Sequence, residues 1–139
     1  MSVAQKAVIK NPQKLQEFYS DIREKKINSY VIFEILRDGT IVVDEKGPIR
    51  KSYAEFLERF FEISRGRDEC LYAMVDVEVR PGTKKFVFLL YCGDQITRQF
   101  IVKGALLFCE MKTTFRSADL QLMAADYRDI AEDSIKRYL

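Results

Sequence analysis

Three pairs of neighbouring carboxylates, Asp44-Glu45, Asp68-Glu69 and Glu132-Asp133, are the residues best suited by type to acid–base work. Carboxylates become catalytic when burial and mutual repulsion drive their pKa values apart, but turns and helix ends carry such pairs routinely, solvated and inert. The chain contains no histidine, which removes the commonest general base and metal ligand and excludes serine–histidine and cysteine–histidine catalysis. Three cysteines, Cys70, Cys92 and Cys109, are odd in number and widely spaced. They match neither a disulfide framework nor a zinc site, so reduced, mostly buried thiols are expected. Lys46-Gly47-Pro48 and Arg80-Pro81-Gly82 lack the glycine spacing and the following helix start that cradle a phosphate. The residues thus imply no cofactor, no metal and no reaction, and a binding module is expected instead of an enzyme.

The scaffold is bounded by composition. At 139 residues the chain has room for one domain, and 47% hydrophobic residues give it apolar surface enough to fold unaided. Lys and Arg exceed Asp and Glu by a formal net charge of +2, so no global field points to nucleic acid or membrane, and electrostatic recognition must come from local patches. The amino terminus carries no signal-peptide core, and no apolar run approaches the roughly 18 residues of a membrane span. Cytoplasmic or nuclear residence is expected.

Residues 1–10 read as a flexible arm and 11–139 as the domain. Asn11 can cap a helix with Pro12 at its first position, running to about Lys26 with Leu15, Phe18, Tyr19 and Ile22 on one face. Two strands, 28–36 and 40–44, flank an Asp38-Gly39 turn. Gly47-Pro48 breaks the pattern, and Ser52 with Glu55 forms a capping box for a helix bearing Tyr53, Phe56, Leu57, Phe60 and Phe61. Strands 70–79 and 85–92 follow; in the second, Phe86 to Tyr91 is continuously apolar, as a strand covered on both faces must be. A helix from Val102 to Arg116, a strand over 120–124 and a helix from Asp129 to Leu139 complete the order. This alternation predicts a single layered α/β domain, with a central mixed five- to six-stranded sheet flanked by helices on both faces.

Several of these segments together resemble the actin-depolymerising factor/cofilin family. Leu15 to Ile35 (LQEFYSDIREKKINSYVIFEI) is similar to its opening helix and first strand, and Gly47-Pro48-Ile49 with Ser52 to Phe56 to its loop and second helix. Asp68-Glu69-Cys70-Leu71-Tyr72-Ala73 resembles the family's acidic-Cys-Arg-Tyr strand start. Phe86 to Asp94 (FVFLLYCGD) resembles the strand ending in Trp-x-Pro, and Leu120 to Asp126 (LQLMAAD) the segment after the long helix. The resemblance implies a single actin-binding domain that regulates filament disassembly, with actin filaments and actin monomers as partners, monomeric itself, in the cytoplasm and cytoskeleton, with the nucleus also open to it. It implies no nucleic-acid partner and no integral membrane association. A glia maturation factor- or coactosin-like regulator, or a diverged module for another cytoskeletal protein, are the alternatives.

The family's long helix begins Met-x-Tyr-Ala-Ser-Ser-Lys and inserts between actin subdomains. Here those positions read Val102-Lys103-Gly104-Ala105-Leu106-Leu107-Phe108, so the resemblance maps monomer contact onto Val102, Lys103, Leu106, Cys109 and Lys112 while showing it to be altered. Helical spacing sends Gly104, Leu107, Phe108, Met111 and Phe115 inward and leaves Val102, Leu106, Cys109 and Lys112 more exposed. A second family surface, which grips the neighbouring filament subunit, maps onto Arg80, Lys84 and Lys85 on the second hairpin and onto Glu132, Lys136 and Arg137 in the last helix. Ser2 sits on an arm displaced from the spacing of the family's phosphorylated serine, and that switch is not carried over.

Overall fold

The computed structural model describes residues 9–67, 69–93, 96–115 and 117–139. Its elements are α1 (Gln13–Arg23), β1 (Asn28–Ile35), β2 (Ile41–Pro48), α2 (Tyr53–Ser64), β3 (Leu71–Arg80), β4 (Thr83–Tyr91), α3 (Arg98–Thr114), β5 (Leu120–Ala124) and α4 (Glu132–Tyr138), with a 3-10 turn at Tyr127–Ile130 before α4. The five strands form one sheet in the order β2-β1-β3-β4-β5. Neighbours are antiparallel except β4 and β5, which run parallel, so the sheet is mixed.

Strand β4 shows why the sheet must be covered twice. Phe86, Phe88 and Leu90 enter a cluster with Leu15, Phe18 and Ile22 of α1 and Leu107, Phe108, Met111 and Phe115 of α3. The alternate residues Val87, Leu89 and Tyr91 enter a second cluster with Tyr53, Phe56 and Phe60 of α2 and Ile135 of α4. A period of two along one strand thus feeds both layers, as the unbroken apolar run requires. Helix α2 begins at Ser52, whose hydroxyl accepts the Glu55 N–H while the Glu55 carboxylate accepts the Ser52 N–H, the expected capping box.

Some local expectations are corrected. Helix α1 has Pro12, not Asn11, at its N-cap, without a side-chain cap bond; Asn11 takes a left-handed backbone and its carbonyl accepts the Lys14 N–H at 3.1 Å. Gly47-Pro48 does not end β2, which runs through Pro48 as an edge strand paired to Asn28, where a missing N–H costs nothing. Gly47 is needed there because any Cβ would lie 2.1 Å from the ring of Tyr30. Helix α3 starts at Arg98, a turn before Val102, because Phe100 and Ile101 also pack on the core; Arg116 lies outside the described residues. The last helix is split into the 3-10 turn and α4. Of the arm expected over 1–10, residues 1–8 lie outside the described residues; Ile9 is buried, and the Lys10 N–H donates to the Gly39 carbonyl at 2.9 Å.

Candidate functional site

Helix α3 lays one face on the sheet. Gly104, Leu107, Phe108 and Met111 are buried there, while Val102 and Leu106 are 50% and 54% exposed and Cys109 is exposed one turn further on. The outward side is therefore an apolar stripe at positions i, i+4 and i+7, the spacing that places side chains on one line. Its two lysines are engaged by the chain itself. Lys103 Nζ donates to the Leu36 carbonyl at 3.5 Å, and Lys112 Nζ lies 5.8 Å from the Phe108 ring centroid.

Gly104 has a structural reason to lack a side chain. A Cβ there would meet Cys70 Sγ at 2.9 Å, and its carbonyl accepts a hydrogen bond from the Tyr72 hydroxyl at 3.3 Å. Cys70 is not a reduced thiol as expected: it forms a disulfide with Cys92. The β3–β4 register, with Leu71 opposite Tyr91, brings the flanking Cys70 and Cys92 opposite each other, a proximity that residue spacing alone conceals. Cys109 is a free thiol and is exposed, as its place on the outer side of the long helix leads one to expect.

At the other end of the sheet, where β1 and β4 begin and β2 and β3 end, lies a groove of about 750 Å³. One wall is the β3–β4 hairpin, through Glu78, Gly82 and Lys84, and another is α4, through Glu132 and Lys136. The structure thus brings Lys84, Glu132 and Lys136 of the sequence-derived surface together. Arg80, Lys85 and Arg137 stand outside the lining; Arg80 and Arg137 are exposed and Lys85 half-buried. The α4 wall is fixed by Tyr53, whose buried hydroxyl donates to the Ile130 carbonyl at 2.6 Å; burial pushes that phenol well above its ordinary value.

The groove also takes Arg23 and Lys26 from the end of α1, and Arg50 and Lys51 from the β2–α2 turn. These were not signalled by the sequence. Three of its cations are internally paired: Arg23 with Asp76 at 2.8 Å, Lys51 with Glu55 at 3.1 Å and Lys136 with Glu132 at 3.0 Å. Burial raises the Asp76 pKa, and the Arg23 guanidinium works against that rise. Lys26, Arg50 and Lys84 have no ion-pair partner among the described residues. The remaining carboxylate, Glu78, accepts the Gly82 N–H at 3.2 Å. The balance of unspent charge in the groove is positive.

Asp44, Glu45 and Glu132 of the carboxylate pairs have structural partners. Arg67 binds both Glu34 and Asp44, and Asp44 is pushed up to about 6 by burial and by the neighbouring Glu34 carboxylate, with Arg67 working against that rise. Glu45 is held below its ordinary value by Arg59, against some burial, and accepts the Tyr30 hydroxyl at 2.6 Å. Glu132 pairs with Lys136, and Asp68 lies outside the described residues.

Known proteins share this fold. A family model described as "Cofilin/tropomyosin-type actin-binding protein" matches residues 8–139. The chain is 32% identical over 130 residues to "Actin-depolymerizing factor 2, isoform c" of Caenorhabditis elegans, covering 85% of each. Its fold matches that of Plasmodium berghei actin depolymerization factor 2 with a TM-score of 0.74 at 17% identity, over 94% of each chain. It matches human coactosin-like protein at 0.69 and 18%, over 94% of this chain and 96% of that one.

Proposed function

The chain belongs to the cofilin and actin-depolymerising factor family of actin-binding proteins, and from that membership we propose that it regulates filament turnover chiefly through the groove between the second hairpin and the last helix. The observation carrying this reading is the meeting of Lys84 with Glu132 and Lys136 on one groove whose unpaired charge is positive. Two segments about 50 residues apart in sequence converge there, on rigid elements, as a surface for an acidic partner requires. Arg80, Lys85 and Arg137 flank it. The chain acts by binding and not by bond chemistry: preference for one filament twist or nucleotide state shifts the lattice toward that state. Its place of action is the cytoplasmic actin cytoskeleton, as a monomer.

Helix α3 supplies a second, altered contact through Val102, Leu106 and Cys109, flanked by Lys103 and Lys112. Its apolar stripe lacks the hydrogen-bonding serines of the family motif, which favours filaments over monomers as the main target and fits a coactosin-like mode, binding without efficient severing. Co-sedimentation with filamentous actin, paired with a monomer-binding assay, tests the proposal. Saturable co-sedimentation with weaker monomer binding is expected; absence of both overturns it.

A further inference from the structure

Lys26 and Arg50 share an unusual property: each bears a long side chain on a left-handed backbone, at φ +56° and +72°. That region is disfavoured for any residue with a Cβ, and glycine or asparagine is its ordinary occupant. Both positions are fixed by their surroundings. After α1 the chain turns through Lys26 with the Ile27 N–H donating to the Asp21 carbonyl at 2.8 Å. Arg50 sits in the β2–α2 turn, clamped by Ser29, whose buried hydroxyl donates to the Pro48 carbonyl at 2.7 Å and accepts the Lys51 N–H at 3.0 Å. A glycine would serve both turns with less strain, and neither cation has an ion-pair partner among the described residues. Yet both line the groove that holds Lys84, beside the exposed Ile49. Beyond the attraction of Asp76 for Lys26, no hydrogen bond or ion pair among the described residues uses either side chain, and backbone strain retained there points to an external contact.

We propose that Lys26 and Arg50 extend the filament-binding surface across the end of the sheet, so that hairpin, α1 terminus and β2–α2 turn together hold one acidic segment of an actin subunit in the filament. This rests on the filament reading above and adds the two residues and the charge of the partner segment. Lys84, also without an ion-pair partner among the described residues, then marks the hairpin side of the same contact, with Ile49 as its apolar element, the mixture of charge and apolar surface common in protein interfaces.

The test is the double variant Lys26→Gly/Arg50→Gly, with Lys26→Asn/Arg50→Asn as a second version that also tolerates the left-handed backbone. A control, Lys14→Ala/Arg65→Ala, removes the same net charge outside the groove. Filament co-sedimentation at low salt should weaken about five- to tenfold in both groove variants, as expected for two lost charge contacts, and less than twofold in the control. Thermal midpoints of the groove variants should equal or exceed that of the unsubstituted protein, since strain is relieved. Unchanged binding in the groove variants while Lys84→Glu/Lys85→Glu weakens it would overturn the inference and leave the filament reading intact. Equal loss in the control would overturn it as mere net charge. A falling midpoint in both groove variants would overturn it by showing that the side chains serve the fold. If the unsubstituted protein does not bind filaments, the filament reading and this inference fall together.

Discussion

The outward face of α3 and the groove at the far end of the sheet are both exposed, and they spend their charge in opposite ways. Along α3 the lysines are occupied within the chain, Lys103 by the Leu36 carbonyl and Lys112 by the Phe108 ring, and an apolar stripe of Val102, Leu106 and Cys109 faces outward beside the exposed Arg98 and Glu110. In the groove Lys26, Arg50 and Lys84 remain without an ion pair among the described residues. Both regions carry basic residues in the sequence. Pairing separates them, because a charge already satisfied at home contributes little to a partner.

The largest effects that sharpen this contrast lie within α3 itself. Leu107→Ala removes a fully buried side chain from the α1–α3 layer and should cost about 2–5 kcal/mol of unfolding free energy. Leu106→Ala, one residue away on the exposed stripe, should stay within about 0.5 kcal/mol. Denaturant unfolding of the two variants measures this directly, and similar losses would mean that the stripe is packed and not free.

Gly104→Ala should follow, at about 1–3 kcal/mol, because its Cβ would crowd Cys70 Sγ at 2.9 Å within a well-packed layer. The same unfolding assay checks it; a neutral result would show that α3 can shift off the disulfide.

Monomer binding gives the next effect. Losing the serines and lysine of the family helix forfeits contacts worth about 0.5–3 kcal/mol each, and every 1.4 kcal/mol is tenfold, so micromolar or poorer affinity is expected by fluorescence titration. Nanomolar affinity that Leu106→Ser abolishes would mean instead that apolar burial, about 1.5–3 kcal/mol per large side chain, has replaced them.

The smallest effect is that of salt. Raising ionic strength should weaken filament co-sedimentation several-fold while leaving the α3-dependent monomer contact nearly unchanged, since the groove contact is built on charge and the Val102, Leu106 and Cys109 stripe is apolar. Parallel loss of both would erase the distinction.

The fold was largely legible because its strongest signals are local. Six apolar residues from Phe86 to Tyr91 admit no solvated face, and the Ser52–Glu55 box marks the α2 start on its own. What the sequence hid depends on contacts between distant segments. The Cys70–Cys92 pair follows from strand register and not from cysteine count, and Gly47 continues an edge strand because Tyr30 lies over it. The change to glycine at position 104 was visible as a departure from the family helix, but its reason, Cys70 beneath it, is tertiary. For the site, Lys84, Glu132 and Lys136 could be named in advance through the family resemblance. Lys26 and Arg50 could not, since neither a positive φ nor a missing ion pair is written in residue types.

The most direct measurement of the central claim compares two charge reversals, Lys84→Glu/Lys85→Glu on the hairpin and Lys112→Glu on α3, in filament co-sedimentation of variants shown by circular dichroism and thermal melting to remain folded. The groove account predicts that the hairpin reversal weakens binding the more, because Lys112 is already engaged with Phe108 while Lys84 has no ion-pair partner among the described residues. A larger loss at Lys112, or no loss at the hairpin, would contradict it and return the principal filament contact to the long helix.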